Sequence, residues 1–177
     1  MANYTEDAIV DTLGGPGPFT FHLPVDAGSK VFKGSLCTQL TATGMIVPYS
    51  TAAAGVAVGV AQHAADNSAA GTADGDKRVL IETKRMYAFD NGAGGDAFSE
   101  ASLIGSVVYG SDDHTVADNS NSLARKPVGF FFGMESDGKV RVFVDPCMAA
   151  IVSALQTLTD TPASADALRD NIVAIFG

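Results

Sequence analysis

The chain has no tryptophan, only two cysteines, no long apolar run, and only 18% charged residues. Each shortage excludes something. Without about 18–20 consecutive apolar residues, no membrane-spanning helix is expected. With 11 basic residues against 20 acidic ones and a net charge of −9, nucleic acid is not the expected partner, because phosphate binding is driven by clustered Lys and Arg. The longest basic runs are the pairs Lys77-Arg78, Lys84-Arg85 and Arg125-Lys126. Cys37 and Cys147 stand far apart in no metal-ligand spacing, and both read as small buried apolar residues that can pair only if the fold brings them together. Met1 to Asp7 carries no basic n-region and no apolar h-region, so no signal peptide is read and the chain is expected to be made and first folded in a cytosol. A charge content below the roughly 25% of typical soluble domains suggests that other chains cover part of the surface. Four tyrosines and no tryptophan leave little from which to build an aromatic sugar-binding groove.

What is present is a β-protein's composition. The 177 residues include 19 glycines and are 46% apolar, enough for one good core. The clearest stretch runs from Gly105 to Asp145. Val107-Val108-Tyr109 reads as a strand, Ser111-Asp112-Asp113-His114 as a polar turn, and Val128 to Phe132 as a second apolar run. Asp137-Gly138 then turns the chain into Val140-Arg141-Val142-Phe143-Val144. An Asp-Gly pair between β-branched and aromatic runs is a strong hairpin signal, because glycine takes the positive φ of a primed turn at little cost. Phe130-Phe131-Phe132 covers both faces of its strand, so either both faces are covered within the fold or one meets a partner.

The same words occur earlier. Gly28-Ser29-Lys30-Val31-Phe32 parallels Gly105-Ser106-Val107-Val108-Tyr109, Val58-Gly59-Val60 parallels Val128-Gly129-Phe130, and Asp74-Gly75 before Val79-Leu80-Ile81 parallels Asp137-Gly138 before Val140-Arg141-Val142. Residues 28–145 are therefore expected to hold two similar β-units, the first over 28–90, closing into a compact barrel or sandwich that leaves no open edges. Within the first unit, Leu36 to Leu40, Met45 to Tyr49 and Val56 to Ala61 read as strands. Arg78 to Glu82 reads as another, running on through Phe89. Asp66 to Gly75 and Asp90 to Asp96 read as polar loops.

The ends differ from the body. Residues 1–27, with Leu13-Gly14-Gly15-Pro16-Gly17-Pro18-Phe19, cannot be helical and read as an extended arm in which Thr20 to Pro24 forms an edge piece. Residues 146–177 read as two short helices. Asp145-Pro146 supplies an N-cap and a first-turn proline, and Met148, Ile151, Val152, Leu155 and Leu158 fall on one face. A second start at Thr161-Pro162 or Ser164 leads to Leu168, Ile172, Ile175 and Phe176 on one face.

No chemistry is legible. His22, His63 and His114 lie in separate segments, with no nucleophile elbow near any of them, and an enzyme is not expected. Asp112-Asp113-His114 and Asp66-Asn67 offer oxygens to a hard cation, but they lack the alternation and closing Glu of a calcium loop and read as solvated turns. Neither a metal nor a cofactor is expected.

The order of these words resembles tailed-phage capsid decoration, or cement, proteins. It runs from Gly-Ser-x-Val-Phe through the Ala-Gly-rich run ending Val58-Gly59-Val60-Ala61, and through Ile104-Gly105-Ser106-Val107-Val108-Tyr109 with its acidic turn, to Pro127-Val128-Gly129 and the closing Val140 to Val144. The tail after Ala154 is similar to tails on phage head proteins. The resemblance spans most of residues 28–170 and carries no catalytic signature. It implies a structural virion protein on the capsid exterior, a homotrimer that bridges major capsid protein subunits. No motif assigns its contacts. Pro16, Pro18, Phe19 and Phe21 are the expected capsid-binding residues, and Leu168, Ile172 and Phe176 the expected oligomer or body packing. The competing expectation is a virion surface or tail-associated module that binds a host receptor or glycan.

Overall fold

The computed structural model describes residues 18–159. The chain is mainly β, with one α-helix among the described residues. In order the strands are β1 (Phe19–Pro24), β2 (Lys30–Val31), β3 (Leu36–Leu40), β4 (Ile46–Pro48), β5 (Gly55–Ala61), β6 (Ala65–Asp66) and β7 (Arg78–Thr83). They are followed by β8 (Arg85–Asn91), β9 (Val107–Gly110), β10 (Thr115–Ala117), β11 (Pro127–Met134) and β12 (Val140–Val144), and then by α1 (Pro146–Thr159).

The strands form two five-stranded assemblies and a small β2–β6 pair. The second assembly is a small closed barrel in the order β10-β8-β12-β11-β9, and the first is a sheet in the order β1-β7-β5-β3-β4. Every contact of the barrel is antiparallel except the closing β10–β8 pair, which is parallel. The sheet's four contacts are antiparallel too. Its two end strands approach through one parallel bridge, Val25 to Ile46. The Asp26 N–H donates to Ile46 O at 3.1 Å there, as the Gly92 N–H donates to Val116 O at 2.8 Å in the barrel.

The Asp-Gly hairpin forms as expected between β11 and β12, with an irregularity between Phe131 and Met134. One expectation is corrected. The run from Arg78 to Phe89 is not one strand: Lys84, at φ +57, turns the chain and donates its N–H to Val144 O at 2.7 Å. β7 therefore stays in the sheet while β8 belongs to the barrel, so the expected first unit over 28–90 runs across both assemblies. Gly105 donates to Phe131 O and Ser106 O accepts from Phe131 N–H; Gly28 and Ser29 make the same two bonds with Asn67, as do Gly34 and Ser35 with Ala61.

Two cores result. Val25, Val31, Cys37, Ile46, Ala61, Val79 and Ile81 fill the sheet's inner face. Tyr87, Phe89, Val108, Val128, Phe131, Val140, Val142 and Val144 fill the barrel, joined by Leu36, Tyr49, Ala57 and Val60 from the sheet's other face. The C-terminal half of β5 is buried on both sides, with Val60 in one core and Ala61 in the other, while Val56 is exposed. Phe131 is buried in the barrel, stacked on Phe98 at 4.8 Å, while Phe132 is exposed.

α1 starts where expected, with Asp145 Oδ1 accepting the Met148 N–H at 3.2 Å. Its buried face is not the expected one. Ala149 is fully buried, and Ser153 Oγ lies 3.1 Å from Tyr109 OH, whereas Met148 and Ile151 are exposed. Small side chains on the Ala149–Ser153 side let the helix sit close against β11 and β9, while of the bulky stripe Met148 and Ile151 are turned outward and Val152 and Leu155 are half-buried. Among the described residues no helix is long and apolar enough to cross a membrane. The expected second helix, with Leu168, Ile172 and Phe176, lies outside the described residues, as does Pro16.

Candidate functional site

The sequence Phe19-Thr20-Phe21-His22-Leu23 alternates apolar and polar, so the strand places Phe19, Phe21 and Leu23 on one face. Phe21 pairs with Ile81 and Leu23 with Val79, and directly opposed residues of antiparallel strands share a face. The two β1 side chains therefore lie on the side that carries the sheet's buried core. They are not sealed in: Phe19 is 53% and Phe21 46% exposed.

These rings form one wall of an apolar groove of about 570 Å³. Val56 and Val58 of β5 contribute to it, and Cys147 and Ala150 of α1 stand across from β1. Lys84 sits at its rim with Nζ 4.8 Å from the centre of the Phe19 ring, a cation–π contact. β1 also stands at the end of its sheet, and along Phe19–Pro24 it has no strand partner other than β7 among the described residues.

Of the residues expected to meet a capsid, Phe19 and Phe21 come together in this groove, and Pro18, also exposed, leads into it. Lys84, Cys147 and Ala150 are not singled out by the sequence. The one available signal is α1 itself, whose fourteen residues contain no charged side chain. Cys147 is exposed and Cys37 buried, and both are free, so the expectation of two buried cysteines holds only for Cys37. Burial pushes the Cys37 thiol far up, with the nearby Asp113 charge adding to the shift.

The acidic turn is a second cluster. Asp112, Asp113 and His114 each place a ligand-type atom within 4.8 Å of the others. Their hydrogen bonds hold the turn between β9 and β10. Asp112 Oδ1 accepts the N–H groups of His114 and Thr115, and Asp113 accepts from Ser35 Oγ at 2.9 Å and lies 2.9 Å from His114 Nδ1. Asp112 Oδ2 is buried with no hydrogen-bond partner. Ser35, Asp113 and His114 make a chain with the carboxylate in the middle. A nucleophilic triad needs the imidazole there, so this chain does not activate the Ser35 hydroxyl. His22 and His63 sit elsewhere, on the surface, with ring centres 6.4 Å apart.

Two fully buried tyrosines join the assemblies. Tyr49 OH donates to Gly110 O at 3.0 Å and accepts the Lys126 N–H at 2.9 Å. Tyr87 OH binds the buried carboxylate of Glu82 and accepts from Gln62 Nε2 at 2.9 Å. Burial raises both phenols, and for Tyr87 the Glu82 carboxylate raises it further.

A scan against protein-family models, a search of curated proteins and a search of solved structures each return no match.

Proposed function

We propose that this chain is a structural virion protein that binds the outside of an assembled tailed-phage capsid and braces it by bridging major capsid protein subunits, as a homotrimer. The observation that carries this reading is β1: an open-edged strand that holds Phe19 and Phe21 half-exposed beside an apolar groove. An exposed sheet edge gains main-chain hydrogen bonds from an added strand, and neighbouring apolar pockets give that addition its register. Contacts repeated across a lattice raise one another's effective concentration, so a modest interface suffices. The word order shared with decoration proteins supports the same reading.

We further propose that the body is one β-unit used twice, with β1, β3, β4, β5 and β7 answering to β8, β9, β10, β11 and β12. The support is the common sequence of antiparallel pairings, the parallel contact that ends each series, and the repeated Gly-Ser bonds. On this reading the N-terminal arm ends in β1, and the C-terminal segment 146–177 is an addition after the second unit.

The test is co-sedimentation of the purified protein with expanded shells, compact shells and free capsid subunits. Saturable binding to expanded shells, with little to free subunits, is expected. Phe19→Ala with Phe21→Ala should lower shell occupancy by about tenfold or more. Equal binding to unassembled subunits, or none to shells, overturns the proposal.

A further inference from the structure

The helix α1 presents Cys147, Met148, Ala150, Ile151 and Ala154 outward, all of them exposed, with Met148 at 49% and Ile151 at 54%. With no charged residue in the helix, this is a face made for cover, continuous with the groove through Cys147 and Ala150. We infer that the covering element is the chain's own C-terminal segment: residues 164–177 run back antiparallel along α1 and seat Ile175 and Phe176 in the groove beside Phe19 and Phe21.

Length and pattern carry this. α1 has fourteen residues, about 21 Å at 1.5 Å per residue, and residues 164–177 as a helix would be equally long. Residues 160–163 connect them, within the roughly 2–5 residues that join antiparallel helices. A short turn and a helix running back from Ser164 bring Ile175 and Phe176 level with Cys147, at the groove. Ser164 suits an N-cap, and Leu168, Ile172, Ile175 and Phe176 repeat at i, i+4, i+7 and i+8, one apolar stripe. Asp166, Arg169 and Asp170 fall off that stripe and supply the charge that α1 lacks. The seat takes the same rings that the shell is proposed to meet, so a shell that binds there displaces the tail; the inference concerns the free protein and stands whether or not the protein binds a shell.

The protein carries its own probe, because Cys147 is exposed and Cys37 buried. In the full-length chain, Cys147 should react with a maleimide at least about tenfold more slowly than in the variant Leu168→Asp, Ile172→Asp, Phe176→Asp, whose tail cannot seat. In a second full-length variant, Phe176→Cys, mild oxidation with diamide should join the new thiol to Cys147 within one chain. The product should appear as a fast-migrating monomer on a non-reducing gel and, by mass spectrometry, as a disulfide-linked pair of peptides, one holding Cys147 and the other the substituted C-terminal position. Equal maleimide rates in both proteins overturn the inference. So does a Phe176→Cys variant that forms no Cys147 bond, or forms it only between two chains. Protection of Cys147 that is lost on Ile9→Asp with Leu13→Asp, and kept in the tail variant, assigns the groove to the N-terminal segment instead and likewise overturns it.

Discussion

The two five-stranded assemblies pair their strands in the same sequence of directions, yet one is closed and the other is held at its seam by a single bridge. The difference shows in the side chains of β8 and β1. Tyr87, opposite Val142, is fully buried in the barrel, whereas Phe21, opposite Ile81, is half-exposed in the sheet. Phe89, opposite Val140, is buried; Leu23, opposite Val79, is only partly so. Tyr87 is capped by Glu82, which the end of the sheet supplies. The sheet thus closes the barrel's end, and among the described residues its own end stays open as a groove. The barrel thus buries rings of the kind that the sheet leaves exposed at its groove.

The sharpest test of that comparison replaces a ring in each strand. Tyr87→Ala removes a fully buried aromatic and leaves the Glu82 carboxylate without its phenol, and should cost about 3–5 kcal/mol in denaturant unfolding. Phe21→Ala, at a half-exposed site, should cost about 1 kcal/mol. Equal losses would mean that the groove is sealed as tightly as the barrel end, and the contrast would fail.

A second test asks whether both assemblies are equally tight where two strands meet. A Cβ added at Gly129 would lie 2.1 Å from Phe143 O, and one at Gly59 would lie 2.4 Å from Glu82 O. Each Ala substitution should cost about 2–3 kcal/mol, because a backbone oxygen cannot swing away as a side chain does. A neutral Gly59→Ala beside a damaging Gly129→Ala would show that the open sheet relaxes where the closed barrel cannot.

Much of this is legible in the chain, and the misses have physical causes. The β11–β12 hairpin is readable because Asp137-Gly138 fixes a turn locally. The break at Lys84 is not, since lysine gives no sign of a positive φ and strand-like residues stand on both sides of it. Gly-Ser occurs at both 28–29 and 34–35, and each makes the pair of bonds that Gly105-Ser106 makes, the first with Asn67 and the second with Ala61. The helix stripe is readable as a stripe, but periodicity does not say which side the body takes. Here the body takes the small side chains, for close approach and for the Ser153–Tyr109 contact. The groove draws on five separated segments, so only Phe19 and Phe21, near a Pro-Gly-rich arm, can be named from sequence.

Breaking the joint between the assemblies should have a smaller effect. Tyr49→Phe keeps the ring and its packing but leaves the Lys126 N–H without its acceptor, so a loss of about 1–2 kcal/mol is expected. A neutral result would mean that the assemblies are held together by apolar contact alone.

The smallest effect appears first on raising the pH. The Tyr49 and Tyr87 phenols are both raised by burial, and for Tyr49 this outweighs the lowering by the Lys126 N–H and the Arg125 charge. A folded-state value above the unfolded one means that the folded protein holds these protons more tightly. The stability they contribute is therefore complete below about pH 10, the ordinary tyrosine value, and is lost as pH rises above it. At pH 10 the loss should be under about 1 kcal/mol, growing with each further step. Absorbance at 295 nm should then show a tyrosinate step that coincides with the loss of far-ultraviolet circular dichroism, because these two phenols ionise only as the fold opens. If every tyrosine titrates smoothly while the strand signal persists, the two rings are not sealed between the assemblies, and the account of how the sheet closes the barrel is wrong.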